Sequence, residues 1–170
     1  MRAIIIGCGR VGAQVAAELD RRGHHVTVID LNPRAFTRLP ATYGGVTERG
    51  NGTDEGVLRA AGAEMTDIVF ALTEGDNRNA MAAQLAKHVF GVPRVVAKIN
   101  DPLRADAFRT LGLETMCRTT ILADALVMAA DEGAAATNGM VKEPTAEPMR
   151  GAPPSGSLAA AEAAAAAEGD

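Results

Sequence analysis

A glycine-rich turn near the N-terminus constrains the fold of this chain more than any other feature of its sequence. The apolar run Ala3–Ile6 leads directly into Gly7-x-Gly9-x-x-Gly12. This pattern is typical of a strand that turns tightly into a helix. The first glycine permits the turn, the second lets the backbone approach a pyrophosphate, and the third lets helix and strand pack closely. We therefore expect a strand–turn–helix unit whose helix N-terminus faces a phosphate group.

A single acidic residue supports a nucleotide as the ligand of this turn. A second apolar run, Val26–Ile29, ends on Asp30, which lies about 20 residues beyond the turn. A carboxylate at this position accepts hydrogen bonds from the ribose hydroxyls of an adenosine and repels a 2′-phosphate. The sequence thus favours NAD or an unmodified adenine nucleotide over NADP, with Arg34 as the nearest arginine that a 2′-phosphate could use.

Apolar runs alternate with helical patterns through the first 130 residues. This alternation predicts an α/β fold, a doubly wound and mostly parallel six-stranded sheet of the Rossmann type with strand order 3-2-1-4-5-6. The predicted strands are Arg2–Ile6, His25–Ile29, Gly45–Arg49, Asp67–Leu72, Arg94–Ile99 and Glu114–Cys117. The predicted helices are Arg10–Arg22, Pro33–Leu39, Asp54–Ala61, Asp76–Phe90, Asp101–Leu111 and Thr119–Ala130.

The composition changes after about Asp131. Residues 132–170 consist mainly of Ala, Pro, Gly, Glu and Ser, with almost no large apolar side chains. Such a segment cannot bury enough surface to offset its ordering entropy. We therefore predict a nucleotide-binding domain over residues 1–131 and a disordered tail over residues 132–170.

Charge and cysteine content exclude several classes of protein. A formal net charge of −4 argues against nucleic-acid binding, which depends on neutralising many phosphates. The two cysteines, Cys8 and Cys117, form neither a disulfide framework nor a zinc pattern. We also expect no transmembrane span and no signal segment, and hence a cytoplasmic protein.

Catalytic residues are not evident in the sequence. The three histidines, His24, His25 and His88, are predicted to lie away from the carboxyl ends of the strands, where ligands bind in this fold. Cys8 lies inside the glycine turn, either as a reactive thiolate or, as we favour, as a small residue in a crowded loop. Cys117 is most simply a core residue. We accordingly predict no catalytic residues.

The carboxyl ends of the strands carry polar residues. After the third strand, Asn51 can hydrogen-bond the adenine or the ribose, and Thr53 can do the same or cap the next helix; a plain turn is the alternative. Leu72-Thr73 ends the fourth strand, and Asn79 lies in the opening turn of the following helix, as Asn77 does. Lys98, near the end of the fifth strand, could reach the distal part of a dinucleotide or be a solvated edge residue.

Together these segments resemble the N-terminal nucleotide-binding domain of the regulatory subunits of Trk/Ktr potassium transporters, the TrkA-N or RCK type. The resemblance covers Met1 to Ala130. The segments that carry it are Ile5-Ile-Gly-Cys-Gly-Arg-Val-Gly12, Val28-Ile-Asp-Leu-Asn32, Gly50-Asn-Gly-Thr-Asp54, Ala71-Leu-Thr-Glu-Gly-Asp-Asn-Arg-Asn79, Gly91-Val-Pro-Arg-Val-Val-Ala-Lys-Ile-Asn100 and Leu111-Gly-Leu-Glu114.

The resemblance implies a non-catalytic cytoplasmic sensor that binds NAD(H), ATP or ADP. It implies a homodimer or a higher ring beneath a membrane potassium channel subunit, at the inner face of the plasma membrane, with nucleotide exchange gating potassium flux. By position, Arg10 would face the phosphates of its own or a neighbouring subunit, Asp30 the ribose, Asn51 and Thr53 the adenine side, and Lys98 the phosphate or nicotinamide side. The predicted nucleotide-binding residues are Gly7, Gly9, Arg10, Val11, Gly12, Asp30, Leu31, Asn51, Gly52, Thr53, Leu72, Thr73, Asn79 and Lys98.

The sequence departs from the family pattern in two places. Family members commonly continue into a C-terminal RCK domain, which the Ala- and Pro-rich tail does not resemble. We therefore expect either a natural single-domain form or a second domain on a separate chain. Some members hold a divalent ion through a carboxylate after the sixth strand, whereas this chain has Cys117-Arg-Thr-Thr120 there. We therefore predict no metal site. A small NAD-dependent oxidoreductase, or a subunit of one, is the alternative function.

Overall fold

The computed structural model describes residues 1–139 of the chain. Its contacts divide the chain into a compact unit, Met1–Glu132, and a second unit, Gly133–Asp170, of which only residues 133–139 are described. Residues 140–170 of the predicted tail lie outside the described residues.

Six parallel strands form one sheet, as the sequence predicts. They are β1 (Arg2–Ile6), β2 (His25–Asp30), β3 (Val46–Arg49), β4 (Ile68–Ala71), β5 (Arg94–Ile99) and β6 (Glu114–Cys117). Their order is β3-β2-β1-β4-β5-β6, and every neighbouring pair is parallel. The strand order therefore reverses direction between β1 and β4. In folds of this kind, ligands bind at the carboxyl edge beside that reversal.

Helices connect the strands. They are α1 (Arg10–Arg21), α2 (Glu55–Ala60), α3 (Asp76–Gln84), α4 (Pro102–Thr110) and α5 (Arg118–Gly139). Two of them begin at aspartate caps: Asp54 accepts from the Val57 N–H at 3.1 Å, and Asp101 accepts from the Leu103 N–H at 2.9 Å. These caps satisfy backbone donors that have no partner within the helix.

Three helical segments differ from the sequence prediction. Pro33–Arg38 is a 3₁₀ helix, a longer run than the roughly three or four residues usual for this form. The end of the fourth predicted helix, Asp76–Phe90, is a π-helical turn, Leu85–Val89. The prediction that the last helix ends near Ala130 was wrong, because α5 continues to Gly139 and residues 132–139 are helical. Alanine-rich sequence of this kind has high helix propensity.

The core lies on both faces of the sheet. On one face, Ile4, Ile6, Val69 and their neighbours pack under Leu58 of α2 and under alanines of α3 and α4. On the other face, Ile5, Val26 and Val28 pack under α1 and the 3₁₀ segment. Close helix–sheet packing is possible because the contacting helical positions are mostly alanine.

The helix α5 contributes little to this core. Every side chain from Arg118 to Asp131 is exposed, including Leu122, Leu126 and Met128, which are 58%, 63% and 62% exposed. Within the part of the chain that the structure describes, no helix has the length and apolar character needed to cross a bilayer.

Candidate functional site

The glycine turn is a tightly packed connection between β1 and α1. Gly7 has a φ of +104°, a conformation that side chains disfavour, and its N–H donates to the Ile29 carbonyl at 2.7 Å. A Cβ on Gly12 would lie 1.9 Å from the Gly7 carbonyl oxygen. At Gly9 the nearest atom to such a Cβ is Glu74 Oε1, at 3.8 Å. Gly7 and Gly12 are therefore required by the fold itself, whereas Gly9 borders open space.

The N-terminus of α1 presents unpaired backbone donors at this turn. Gly9 is the N-cap and makes no side-chain cap hydrogen bond, and the first turn contains no acidic residue. Helical hydrogen bonding starts with the Ala13 N–H, which donates to the Gly9 carbonyl at 2.9 Å. The N–H groups of Arg10, Val11 and Gly12 precede that first bond. An uncapped helix N-terminus of this kind favours an anion.

Asp30 joins the glycine turn to the end of β2. Its Oδ2 accepts from the Cys8 N–H at 2.7 Å, and its Oδ1 accepts from the Asn32 N–H at 2.8 Å. Its carbonyl also accepts from the Gly50 N–H at 3.1 Å. A carboxylate has about four lone-pair positions, so both oxygens can still accept a ribose hydroxyl. Asp30 thus has a structural role in the loop that the sequence did not reveal.

The segment after β3 is a turn held by its own side chains. Asn51 Oδ1 accepts from the Thr53 N–H at 3.2 Å and from the Thr53 hydroxyl at 2.9 Å. A Cβ on Gly52 would lie 2.1 Å from Ile6 Cγ2, so this glycine permits close packing on β1. The next helix is capped by Asp54, and Thr53 therefore does not serve as its cap.

Two polar residues that follow β4, Thr73 and Asn79, differ in burial and are hydrogen-bonded to each other. Asn79 is fully buried, and its Oδ1 accepts from the Thr73 N–H at 2.8 Å and from the Thr73 hydroxyl at 2.6 Å. Its Nδ2 donates to the carbonyls of Thr73 and Lys98, at 2.9 and 2.8 Å. Asn79 therefore positions Thr73 and has no capacity left for a ligand.

These elements enclose a cleft of about 450 Å³ at the carboxyl edge, which we call the nucleotide cleft. Nine of the predicted residues line it: Gly7, Gly9, Arg10, Asp30, Leu31, Asn51, Gly52, Leu72 and Thr73. Val11, Gly12, Thr53, Asn79 and Lys98 do not line it. The cleft is also lined by nine residues that the sequence did not predict to bind a ligand: Ile6, Cys8, Ile29, Asn32, Ala35, Arg38, Gly50, Glu74 and Arg78.

Two of the unassigned residues add positive charge to the cleft. Arg38 reaches it from the 3₁₀ segment and Arg78 from the first turn of α3. Among residues 1–139, neither these two guanidinium groups nor that of Arg10 forms an ion pair. Arg38 lines the same cleft as Asp30, whereas Arg34 does not.

Lys98 does not itself line the nucleotide cleft, but its ammonium group contacts a residue that does, Glu74. Lys98 is 5% exposed, and its Nζ lies 3.6 Å from Glu74 Oε1. With Val11 it lines a second cavity of about 460 Å³, the apolar groove, between α1, the sheet and α5. The apolar groove is lined by Val11, Val15, Phe70, Leu72, Val96, Lys98, Met116, Arg118, Ile121, Leu122 and Ala125. The alternation of side chains along a strand could have predicted the burial of Lys98, since it lies on the same face of β5 as the apolar Val96.

Neither the histidines nor the Cys8 thiol is well placed for acid–base or thiol chemistry in the cleft. None of the three histidines lines the nucleotide cleft. Burial, with the charge of Asp30 adding to it, raises the pKa of the Cys8 thiol, which disfavours the reactive thiolate. Cys117 is buried at the end of β6, as its core assignment predicts. Within residues 1–139, no three His, Cys, Asp or Glu side chains form a group that could hold a metal ion.

Sequence comparison relates this chain to potassium uptake proteins. The profile of the TrkA-N domain family matches residues 3–119. The Trk system potassium uptake protein TrkA of Streptomyces coelicolor is 42% identical over 127 residues, which are 75% of this chain and 57% of that protein. The TrkA homolog of Pyrococcus abyssi is 34% identical over 108 residues, which are 64% of this chain and 48% of that protein. The chain thus spans about half the length of these relatives.

Solved structures share the fold. GsuK bound to ADP is 26% identical with a TM-score of 0.63, over 74% of this chain and 32% of that one. The GsuK channel bound to NAD is 20% identical with a TM-score of 0.58, over 68% and 21% of the two chains. The TrkA-N domain of the inner membrane protein ybaL from Escherichia coli is 16% identical with a TM-score of 0.68, over 75% and 95%. The last two similarities show the fold alone.

Proposed function

This chain belongs to the TrkA-N domain family, and on that premise we propose that it is a non-catalytic regulatory subunit that binds an adenine nucleotide and gates a membrane potassium transporter. The relatives named above are potassium uptake proteins, and GsuK has been solved with ADP and with NAD. The single observation that carries the proposal is the uncapped N-terminus of α1 facing the same cleft as Asp30.

The proposed ligand is NAD(H), ATP or ADP. The open side of Gly9 leaves room for a pyrophosphate against the free N–H groups of α1. Asp30 lies at the far side of the turn, where its free lone pairs would accept the ribose hydroxyls. Its charge would repel the 2′-phosphate of NADP(H), and Arg38 would offset that repulsion only in part.

The proposed assembly is a homodimer or a higher ring that binds a membrane potassium channel subunit. The exposed apolar side chains of α5 and the adjacent apolar groove support an isologous contact, because each is an apolar surface in contact with solvent. Such a subunit would lie in the cytoplasm at the inner face of the plasma membrane. A C-terminal RCK domain would complete it, either in cis or on a separate chain.

Titration calorimetry with NADH, ADP, ATP and NADPH tests the proposed ligand class. We expect NADH or an adenine di- or triphosphate to bind, and NADPH to bind more weakly than NADH. NADPH affinity equal to or tighter than that of NADH would contradict the role of Asp30. Turnover of NADH with a small carbonyl or a quinone would instead favour the oxidoreductase alternative.

A further inference from the structure

Glu74 lies where a phosphate would approach the glycine turn. It follows Thr73 at the end of β4, lines the nucleotide cleft, and its side chain is 81% exposed. Its Oε1 is the atom nearest to the open side of Gly9, 3.8 Å from the position of a Cβ there. A negative charge therefore stands beside the backbone that would receive the phosphates.

A buried lysine forms an ion pair with this carboxylate. Lys98 Nζ lies 3.6 Å from Glu74 Oε1, and Lys98 also lines the apolar groove. Because an ammonium group in apolar surroundings is costly without an opposite charge, Lys98 favours the orientation of Glu74 that keeps the pair. Glu74 thus differs from a freely rotating surface carboxylate, which could turn away from an incoming anion.

We propose that Glu74 is a specificity-determining residue, whose carboxylate, anchored by Lys98, ranks adenine nucleotides by the negative charge of their phosphates. A triphosphate carries about twice the negative charge of a dinucleotide pyrophosphate, and repulsion from a fixed charge grows in proportion. Glu74 therefore opposes ATP more than NADH. This inference rests on the proposed function, since it concerns the same cleft and ligand class.

The test compares Glu74→Gln with the full-length wild type by calorimetry at low ionic strength. We expect ATP affinity to rise about fivefold to tenfold and NADH affinity by about twofold to threefold, so that the ratio shifts toward ATP. Glu64→Gln is the matched control, because it removes an exposed carboxylate just before β4, at the opposite edge of the sheet. It should leave the ratio unchanged.

The role of the anchor is tested by Lys98→Met, which places an apolar side chain in the apolar groove. In the Lys98→Met background, Glu74→Gln should shift the ATP-to-NADH ratio by less than half as much as in the wild type. The shift should also shrink in high salt, a readout that needs no second substitution.

The outcomes separate this inference from the proposed function. If the wild type binds nucleotides and Glu74→Gln leaves the ratio unchanged or moves it toward NADH, the role of Glu74 is overturned while the nucleotide site stands. An equal shift with and without Lys98 overturns the anchoring. If the wild type binds no adenine nucleotide, the proposed function fails, and this inference fails with it.

Discussion

Gly9 and Gly12 belong to the same turn, yet a methyl group would meet different surroundings at each. At Gly12 it would lie 1.9 Å from the Gly7 carbonyl oxygen, whereas at Gly9 its nearest neighbour would be 3.8 Å away. Gly12→Ala should therefore destabilise the fold. Gly9→Ala should melt within a few degrees of the wild type but lose at least tenfold in nucleotide affinity, because the methyl group occupies the phosphate approach.

Thermal melts and calorimetry on the two variants separate these roles. Each variant controls for the other, since both add one methyl group to the same turn. Undiminished nucleotide affinity in a folded Gly9→Ala protein would show that the phosphates lie elsewhere.

Asp30 combines a loop contact with the proposed ribose contact. Asp30→Ala should reduce nucleotide affinity by about 1.5–3 kcal/mol, the range for losing hydrogen bonds to a charged group. It should also lower the melting temperature of the ligand-free protein, because the Cys8 and Asn32 N–H groups lose their acceptor. Calorimetry and melting measure the two effects separately. A lower melting temperature with unchanged affinity would leave Asp30 a purely structural role.

Asp76, at the carboxyl edge of the sheet, makes the stability of the fold depend on pH. Although burial acts to raise it, the pKa of Asp76 is held below its ordinary value by hydrogen bonds from the backbone N–H groups of Asn100 and Asp101 and from the Asn100 side chain. A carboxyl whose pKa is lowered by folding stabilises the fold above its unfolded pKa. This contribution is lost as the pH falls through the folded value.

Asp76→Ala should accordingly destabilise the protein by about 2 kcal/mol at neutral pH. The difference from the wild type should shrink as the pH falls below about 4, where the unfolded carboxyl is protonated. Denaturant unfolding from pH 7 to pH 3 measures it, with the exposed Asp124→Ala as a control. A difference that does not change with pH would contradict the assignment.

At the scale of elements, α5 is the helix whose packing is incomplete. Its apolar side chains from Ile121 to Met128 are exposed, and the adjoining groove is almost entirely apolar. If these surfaces form the proposed dimer, Leu126→Asp should shift the protein toward monomers, because an unpaired charge would be buried in the contact. Nucleotide affinity per subunit should remain within about twofold, since Leu126 does not line the cleft.

Light scattering with and without nucleotide measures this change. Leu103→Asp on α4 is the matched control, because Leu103 is 82% exposed and distant in sequence from α5. A wild type that stays monomeric at tens of micromolar in every nucleotide state would contradict the dimer.

The elements were predictable where local pattern and tertiary packing agree. The bounds of β1, β5 and β6 match those read from the sequence. For β1 and β5 the reason is that their apolar runs end at turn residues, Gly7 and Asn100. The end of α5 was missed since the change in composition after Asp131 suggested a tail, whereas alanine continues a helix readily. The π-helical turn at Leu85–Val89 has no sequence signature that we recognise.

The cleft was predictable only in the part that the backbone defines. Gly9, Asp30 and Thr73 lie in the glycine turn or at the ends of strands, so the backbone alone places them at the carboxyl edge. Arg38 and Arg78 were missed because their place depends on the phase of a short helical segment. Asn79 and Lys98 are polar yet buried, and a sequence does not show which way a polar side chain points.

At the scale of the whole molecule, membership of the family, the strand order and the uncapped N-terminus of α1 all indicate that a ligand binds at the carboxyl edge of the sheet. The central claim is that an adenine nucleotide binds there, with its phosphates against the glycine turn. Backbone amide NMR of the full-length protein titrated with ADP or NADH tests this claim most directly. We predict that the largest shifts fall on the amides of Gly7–Gly12, with further shifts near Asp30 and Thr73. Saturating nucleotide that leaves the amides of Gly7–Gly12 unshifted would contradict the account.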